Sequence, residues 1–581
     1  MLDYWNPAMR LYVDRLVDWE TILTLRRGEA VDVEAEKGAF STVLETLAAL
    51  TAGFERPARE HWSEEAQLTP DGGAEPPAHM RDAYAKLREA GLVCMPVPEK
   101  YGGAALPLLL NGMALEMIAR ADASLMTVIG LQTGAAEDIE KYASEETKRA
   151  ILPRFVSGEV QGCMDLTEPQ AGSDLGRISA RVTDLPDGTV RVDGQKIFIT
   201  NGGAEVHLVL ARDADTYDAS KGTTQGLSLV LVERHRPDGS PNGVRVARLE
   251  RKLGIHGSPT CEVVFEGAIG VRLGEKGKGF RAMLDLMNNA RLGVAAQGLG
   301  IAEAAFHDAT VYARQRQQFG QPIEKQPLVM TMLAKMAVNI EAARALCYHT
   351  YELADLVRSR EVALSGSRLS NAERSAQQEA LERDVVRLRL LTPLTKYFAT
   401  EISHDITRDA MQILGGVGYT MDSDVPKLHA DSLITTVYEG TSEIQASFAL
   451  KEMGKGALAV VFEMARRELD AMKQDAMREP LADRVLSMIE RVEEATKVLF
   501  SDIQYALLRA KLLAEMVIDV LASTELLRQV GADPRRLEVA ESYVMRRSLE
   551  GDTMARRIEQ NATGRLARDA RVLELVTERS A

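Results

Sequence analysis

A glutamate in an unusual setting is the first group in the sequence that could do chemistry. Glu439 stands in Val437–Gln445 (VYEGTSEIQ), where a glycine and two hydroxyl residues follow it, a poor composition for a helix interior. A carboxylate at the start of a helix lies among exposed N–H groups and hydroxyls, and a positioned carboxylate can act as a general base. The ordinary alternative is a solvated acid at a helix N-terminus.

Two further segments combine small residues, hydroxyls and an aromatic ring. Leu166–Asp174 (LTEPQAGSD) offers hydroxyls and backbone donors before a predicted strand, and such a loop can bind a polar ring edge or a carbonyl. In Lys196–Gly203 (KIFITNGG), a predicted strand carries Phe198 and Thr200 on one face, where they could flank a planar cofactor. Taken singly, an ordinary Gly/Ser turn and a half-buried strand are the better explanations.

Arginine and glycine residues form a third set, which suits a phosphate group. Arg316 opens the segment RQQFGQP, and Gln412–Tyr419 reads QILGGVGY. Arginine offers a fork of donors to phosphate, and glycines let backbone N–H groups approach it. The alternatives are an ordinary helix end for the first segment and a helix C-cap for the second.

Composition and absent motifs argue against several classes of protein. The net charge of −15 argues against nucleic-acid binding, which needs a basic surface. The sequence has no GxxxxGK[ST], HExxH, GxSxG or CxxC, and Gly298-Leu-Gly300 is not followed by the third glycine of a dinucleotide fingerprint. The nine histidines show no metal-ligand spacing, so no metal site is predicted.

The elements that must position these residues follow one another in blocks. The predicted fold class is α+β: an N-terminal helical domain, a middle antiparallel β barrel or sandwich with Asp-Gly turns, a second helical domain and an extra helical C-terminal domain. Their predicted bounds are 1–157, 158–279, 280–454 and 455–581.

Apolar spacing predicts particular helices within these blocks. Two helices are expected near 106–121 and 123–142, and the stripe from Val485 to Ala506 predicts one long amphipathic helix. Neither a signal peptide nor an apolar run of membrane length is evident, so a cytoplasmic protein without integral membrane association is predicted.

In this order and spacing, the segments resemble the acyl-CoA dehydrogenase family of flavoproteins. The similarity covers roughly residues 80–450 and rests on TEPxAGSD, KxxITNG, RxxFG, QxxGGxGY and YEGTSEIQ. Members have an N-terminal helical domain, a middle β domain and a C-terminal four-helix bundle. The N-terminal arm, the segment Lys252–Cys261 and the extra C-terminal block resemble the long bacterial subgroup of fatty acyl-CoA and 3-methylthiopropionyl-CoA dehydrogenases.

The resemblance implies FAD-dependent α,β-dehydrogenation of an acyl-CoA to the trans-2-enoyl-CoA, with electrons passed to an electron-transfer flavoprotein in fatty acid β-oxidation. It implies that Glu439 removes the α proton. Carried over by motif, the FAD-binding residues are Leu166, Thr167, Ser173, Phe198, Thr200, Arg316, Phe319, Gln412, Gly415, Gly416, Thr441 and Glu443. The substrate-binding residues are Ser173, Asn288, Arg291, Tyr438 and Gly440.

The resemblance also implies a homodimer, because Arg316, Phe319, Gln412, Gly415 and Gly416 would reach the FAD of a partner subunit. Three positions depart from the common family pattern: Phe198 stands where Trp is frequent, Asn288 where Asp is frequent, and Ala430 where Arg is frequent.

Three other functions stay open. A 3-methylthiopropionyl-CoA dehydrogenase differs in the acyl group, and an acyl-CoA oxidase passes its electrons to oxygen. A DNA-binding flavoprotein relative is the alternative from another class, suggested by arginine pairs in the last block. Acids occur there at similar frequency, which favours a solvated helix face. The acyl chain length is not predicted.

Overall fold

The computed structural model describes residues 4–560 and 564–577. The chain forms two compact units, each built from segments that are far apart in sequence. The first unit comprises Met1–Asn6, Ala39–Tyr312 and Ile406–Glu439, and the second comprises Pro7–Gly38, Ala313–Asp405 and Gly440–Ala581.

Helices dominate the chain before the middle sheet. They are α1 (Pro7–Leu11), α2 (Trp19–Arg27), α3 (Val33–Ala52), α4 (Glu55–Glu60), α5 (Ala78–Glu89), α6 (Leu108–Ala121), α7 (Ala123–Tyr142) and α8 (Glu145–Val156). A short antiparallel ribbon, β1 (Gln67–Leu68) and β2 (Ala74–Glu75), separates α4 from α5. The bounds of α6 and α7 confirm the two helices that apolar spacing predicts.

A seven-stranded sheet and one short helix make up the middle of the chain. They are β3 (Gly162–Asp165), β4 (Arg181–Asp184), β5 (Val190–Thr200), β6 (Val206–Asp213), α9 (Tyr217–Ser220), β7 (Leu227–Glu233), β8 (Val244–Leu249) and β9 (Thr260–Leu273). Strand pairings run β6–β4–β5–β9–β7 and return to β6, while β3 pairs with β6 and β8 with β9. Alternating valines such as Val192, Val209 and Val263 fill one core cluster of this sheet.

The expectation of a wholly antiparallel sheet is wrong in one respect. Strand β6 lies between β3 and β4 and pairs in parallel with both, since other strands intervene along the chain and replace the tight hairpin that an antiparallel pair would use. Of the Asp-Gly pairs predicted to form turns, at 187–188, 193–194 and 238–239, the second is not a turn. Gly194 lies inside β5 at a register shift, whereas Gly188 and Gly239 follow their aspartates in turns with positive φ.

Long helices follow the sheet, and the segment with the predicted base lies between the last two of them. They are α10 (Gly279–Gln315), α11 (Pro327–Ser365), α12 (Asn371–Leu414), α13 (Gly416–Tyr419), α14 (Val425–Thr435) and α15 (Ser442–Gly454). A small hairpin, β10 (Gln317–Gln318) and β11 (Gln321–Pro322), lies between α10 and α11. In the first unit α10 crosses α6 closely at Gly300, where an added Cβ would stand 2.7 Å from the Arg120 amide nitrogen.

The last part of the second unit is a helical block, defined here as α16–α19. Its helices are α16 (Ala457–Met472), α17 (Glu479–Leu499), α18 (Ile503–Ala532) and α19 (Leu537–Glu559), and α20 (Arg565–Thr577) follows. The stripe residues Val485, Ile489 and Val492 are buried, as predicted. They share one core cluster with residues of α11, α12 and α15.

The prediction of a single helix from Val485 to Ala506 is wrong, because the stripe is divided between α17 and α18. The carboxylate of Asp502 accepts hydrogen bonds from the amides of Gln504 (2.9 Å) and Tyr505 (3.2 Å) and so starts a new helix. Periodicity alone missed this break, since the apolar spacing continues through it. None of the helices within the described residues is long and apolar enough to cross a membrane.

Candidate active site

A buried ion pair holds the loop that follows β3 in place. The ammonium group of Lys196 donates to the Glu168 carboxylate at 2.8 Å and to the carbonyl oxygens of Leu166 (3.0 Å) and Leu210 (2.7 Å). Burial lowers the pKa of Lys196, although the Glu168 carboxylate opposes that shift. The loop bearing Leu166 and Thr167 is therefore tied to β5 by a side chain that is itself part of the KIFITNGG segment.

Glu168 also organises the far end of the same loop. Its carboxylate accepts the amides of Ser179 (2.7 Å) and Ala180 (3.0 Å) and the side-chain amide of Gln170 (2.6 Å). Burial alone would raise the pKa of Glu168, but Lys196 and these donors hold it below its usual range. Ser173 stays exposed at the tip of the loop, where a bound molecule can reach its hydroxyl.

A β-bulge in β5 presents Phe198. The strand gains one residue between Lys196, which pairs with Val263, and Ile199, which pairs with Cys261. Phe198 takes a φ of +59° and is 59% exposed. Since Ile199 is buried while Phe198 and Thr200 are not, the two predicted residues share the open face of the strand, as the alternation predicts.

The segment between α14 and α15 holds Glu439 in a left-handed conformation. The φ angles of Glu439 and Gly440 are +56° and +95°. A non-glycine residue pays roughly 1–2 kcal/mol for this region of backbone space. Thr441 then caps α15, its hydroxyl accepting the Ile444 amide at 3.4 Å.

Residues of α10 contact this segment within the first unit. The Nε of Arg291 donates to the carbonyl oxygen of Glu439 at 3.4 Å, and another guanidinium nitrogen donates to Asn288 Oδ1 at 2.8 Å. The hydroxyl of Tyr438 donates to the side-chain oxygen of Gln297. Gln297 is fully buried and donates in turn to the Ala123 carbonyl at 3.2 Å.

The pKa values of the two neighbours of Glu439 are shifted. Desolvation raises the pKa of the Tyr438 phenol above its ordinary value, and the adjacent Glu439 carboxylate raises it further. Burial lowers the pKa of Arg291, while the Glu439 carboxylate acts in the opposite direction. Glu439 therefore lies beside the cationic Arg291 of α10 and the neutral phenol of Tyr438 in its own segment.

Within the second unit, other side chains hold the backbone just after Glu439. The Gly440 carbonyl accepts hydrogen bonds from the ammonium group of the buried Lys396 at 2.9 Å and from Gln445 Nε2 at 3.1 Å. Ser442 donates to the Glu401 carboxylate. These bonds offset the cost of the left-handed backbone.

Glu443 differs from Glu439 in exposure and partner. Its side chain is 69% exposed and accepts from Lys511 of α18 at 3.2 Å. The backbone N–H of Glu443 itself, and then Lys511, hold the pKa of this carboxyl below its usual range. Glu439 is half-buried, and the stabilised, exposed carboxylate of Glu443 is the poorer proton acceptor of the two.

The residues predicted to reach a partner's cofactor are exposed. In the second unit, Phe319 and Gly320 form the turn of the β10–β11 hairpin, with φ of +52° and +79°, and the Phe319 ring is 92% exposed. Arg316 precedes this hairpin and is also exposed. In the first unit, Gln412, Gly415 and Gly416 are exposed, and an added Cβ at either glycine would meet no atom within 4 Å.

Sequence reasoning missed three buried side chains that position the site. They are Lys196, Gln297 and Lys396. Lys196 lies in the KIFITNGG segment, but its partner Glu168 is 28 residues away. A buried Lys or Gln in an otherwise apolar helix or strand is the signal that could have found them, since such groups persist only with partners.

Comparison with known proteins identifies the family of this chain. The models of the N-terminal, middle and C-terminal domains of acyl-CoA dehydrogenases match residues 45–159, 163–268 and 277–454. The chain belongs to the acyl-CoA dehydrogenase family. It is therefore an FAD-dependent oxidoreductase with the three-domain fold of that family and an additional helical C-terminal extension.

Individual relatives cover different shares of the chain. An acyl-CoA dehydrogenase of Bacillus subtilis is 36% identical over 366 residues, which span 62% of this chain and 86% of the relative. A 3-methylmercaptopropionyl-CoA dehydrogenase of Ruegeria pomeroyi is 30% identical over 497 residues, 81% of this chain and 80% of the relative. The structure of an acyl-CoA dehydrogenase complexed with FAD from Bacillus anthracis covers 95% of this chain and 93% of that chain with a TM-score of 0.75, and at 23% identity it shows the fold alone.

Proposed function

We propose that this acyl-CoA dehydrogenase converts a saturated acyl-CoA to the trans-2-enoyl-CoA, with Glu439 as the base that removes the α proton. The observation that carries the proposal is the backbone of Glu439 and Gly440. Both residues are left-handed, and the two carbonyl oxygens are held by Arg291, Lys396 and Gln445. Strained backbone held on both sides fixes the direction of a side chain, which proton removal from carbon requires.

The chain's own residues supply most of the proton chemistry in this proposal. An α C–H of a thioester is a weak acid, so its removal needs donors where negative charge develops on the carbonyl oxygen. The backbone N–H of Glu439 is the proposed donor. Tyr438, whose pKa is raised further above its ordinary value, is a neutral phenol and is proposed to flank the thioester without competing for the proton. Arg291, beside Asn288, keeps the Glu439 main chain in place.

The exposed face of β5 and the loop after β3 fit a flavin. The Phe198 ring and the Thr200 and Ser173 side chains give an aromatic surface with hydroxyls, which suits a flat ring with polar edges. When bound, FAD supplies the acceptor for the β hydrogen. Leu166, Thr167, Ser173, Phe198 and Thr200 are proposed to hold its ring, and Thr441 and Glu443 its adenosine-diphosphate side.

We further propose a homodimer in which each subunit completes the other's cofactor site. Supporting this, Arg316, Phe319, Gln412, Gly415 and Gly416 are all exposed. A phenylalanine that is 92% exposed on a short hairpin favours a partner surface that covers it. Guanidinium and open glycine backbone suit the pyrophosphate of a cofactor bound to another subunit.

The proposed electron acceptor is an electron-transfer flavoprotein, and the proposed pathway is fatty acid β-oxidation. A second acyl group has specific support. The 3-methylmercaptopropionyl-CoA dehydrogenase matches 81% of this chain, a larger share than the 62% matched by the acyl-CoA dehydrogenase of Bacillus subtilis. A short methylthio acyl-CoA is therefore the second candidate substrate.

The decisive experiment measures reduction of an artificial electron acceptor with saturated, branched and methylthio acyl-CoAs. We expect flavin bleaching under anaerobic conditions with at least one class, and little peroxide in air when no acceptor is added. Peroxide formed as fast as acyl-CoA is consumed would replace this proposal with an acyl-CoA oxidase. Tight binding of duplex DNA, with an affinity that falls steeply as the salt concentration rises, would support the DNA-binding alternative.

The arginine pairs of the helical block give that DNA-binding alternative little support. Arg466 makes a bidentate pair with Glu493 at 2.9 Å, Arg535 pairs with Asp533 at 2.8 Å, and Arg547 pairs with Asp519 at 2.6 Å. Arginines already matched by carboxylates within the block contribute little to phosphate binding.

A further inference from the structure

A cavity of about 370 Å³ lies between three helices of the block α16–α19, within the second unit. Residues of α17, α18 and α19 line it, and none of them belongs to the proposed base, cofactor or substrate residues. Its size falls within the range of small-molecule sites in proteins. Gly551 of α19 helps to keep it open, since a Cβ added there would meet no atom within 4 Å.

Asp519 lines this cavity with a carboxylate that is only half satisfied. Its Oδ1 accepts from Arg547 Nε at 2.6 Å and from the Tyr543 hydroxyl at 3.2 Å. Its Oδ2 is buried and accepts no hydrogen bond from any group in the described residues. The side chain is fully buried, and an acceptor left unsatisfied in such a place is costly unless a ligand or water supplies a donor.

A cation without an acid partner lies on the other wall. Arg484 of α17 forms no ion pair among the residues that the structure describes, and its guanidinium donates only to the Ser548 hydroxyl at 3.4 Å. Arg491, one heptad further along α17, differs because Glu494 and Asp552 already neutralise it. Arg484 is therefore the cation of this cavity that can pair with an anionic group of a ligand.

Charged side chains of both signs line the cavity: Arg484 and Arg491 lie among Asp483, Asp519 and Asp552. Met488, Val492 and Met516 form the apolar part of the lining. A cavity that offers a free acceptor, an unpaired cation and an apolar wall favours a ligand that carries separated charges of both signs.

We propose that this cavity binds a small zwitterion, an aliphatic amino carboxylate whose ammonium group donates to Asp519 and whose carboxylate meets Arg484. The ammonium fills the free acceptor of a buried carboxylate, and the carboxylate pairs the free guanidinium. The methylene chain lies against the methionine and valine side chains. This site is independent of the proposed dehydrogenation chemistry.

The test is isothermal titration of the full-length FAD-loaded protein with linear ω-amino carboxylates from glycine to 6-aminohexanoate. We expect saturable binding with an optimum chain length that reports the spacing of the two charges. Pentylamine and pentanoate, which each carry one of the charges, should bind at least ~10-fold more weakly than the best zwitterion, since a charge-assisted bond is worth roughly 1.5–3 kcal/mol.

Three variants decide the assignment. Asp519→Asn and Arg484→Gln should each weaken binding at least ~10-fold. Gly551→Leu should abolish it by filling the cavity, while adding helix propensity to α19. Arg484 is exposed and Gly551 faces open space, so both variants keep the test valid even if Asp519→Asn destabilises the fold.

The pH dependence gives an independent readout. Burial raises the pKa of Asp519 to about 7, with Arg547 opposing and Glu515 adding to the rise, and with Tyr543 as the facing hydroxyl. Because the ionised carboxylate accepts the ammonium, affinity should rise about tenfold from pH 6 to pH 8. Absence of saturable binding by every zwitterion, equal binding of pentanoate, or binding unchanged in Arg484→Gln and Gly551→Leu would overturn the proposal.

Discussion

The residues proposed to do chemistry and the helical block α16–α19 use the backbone differently. Non-glycine residues with left-handed φ include Phe198, Phe319 and Glu439, three of the proposed site residues. In the described part of the chain beyond Glu439, only glycines have positive φ. The block is regular helix with a continuous apolar core, which includes Val485, Ile489 and Leu513.

This difference separates two sources of stability. A left-handed non-glycine residue costs roughly 1–3 kcal/mol, so it persists only where neighbouring bonds hold it. Around Glu439 these bonds come from Arg291, Lys396 and Gln445. The block contributes buried apolar area instead. Mutations in the first region should therefore change catalysis, and mutations in the second should change stability.

The largest effect is expected from Glu439→Gln. The amide keeps the size of the side chain but cannot accept the proton, so anaerobic flavin reduction by acyl-CoA should slow by ~10²–10⁴. Stopped-flow absorbance measures the rate, and the melting temperature should change little. Glu443→Gln is the matched control: because Glu443 is proposed to hold FAD, its FAD-loaded fraction is compared, and that fraction should bleach at close to the parental rate. The opposite ranking of the two variants would move the base to Glu443.

A smaller effect, of a different kind, is expected from Ile489→Ala. Ile489 is fully buried in the core of the block, and truncating such a side chain costs ~2–5 kcal/mol of unfolding free energy. Ile503→Ala, at a residue that is 64% exposed, is the control and should cost less than ~0.5 kcal/mol. Denaturant unfolding measures both. Turnover per bound flavin should match the parent, and a loss of turnover would show that the block takes part in catalysis.

These two regions also differ in how well the sequence predicts them. The residue types around Glu439 and Phe198 are enough to predict these site residues. A carboxylate before a glycine and an aromatic ring in a strand can both be recognised in short stretches of sequence. The bulge that exposes Phe198 depends on pairing with β9, 60 or so positions later, and local alternation only partly anticipates it. Lys196 and Gln297 escaped prediction for the same reason, since their partners are distant in sequence.

In the block, periodicity predicts burial but not where helices end. The apolar stripe is buried as expected, yet the break before α18 is made by the Asp502 cap rather than by any loss of spacing. The parallel pairing of β6 could not be predicted either, because strand order depends on how the connections cross the sheet.

A third prediction concerns cofactor retention. Arg316→Ala removes a donor proposed for the pyrophosphate of a partner's FAD, so FAD affinity should fall about 10- to 100-fold, equivalent to roughly 1.5–3 kcal/mol for a charged hydrogen bond. Equilibrium dialysis of the apoprotein with FAD measures it. Arg314→Ala is the control: it removes the same charge two residues earlier, from a pair with Glu324 at 3.2 Å. Equal losses in both variants would assign the effect to net charge alone.

The smallest effect is expected from Lys511→Ala, at a contact between the helical block and the segment that follows Glu439. Lys511 of α18 bonds to Glu443, but both side chains are substantially exposed, so their coupling should be ~0.2–1 kcal/mol.

The pH dependence of this pair has a definite sign. The pKa of Glu443 is lowered mainly by its own backbone N–H and, to a smaller extent, by Lys511. The resulting stabilisation is therefore present above the unfolded pKa near 4.5 and is lost as the pH falls through the folded pKa. Removing Lys511 should leave most of it, because the backbone contribution remains. A double-mutant cycle with Glu443→Gln at low and high salt measures the coupling, and Lys511→Arg should restore it. FAD affinity reduced tenfold by Lys511→Ala and recovered by Lys511→Arg would contradict the separation of the two regions, because a side chain of the block would then position the cofactor through Glu443.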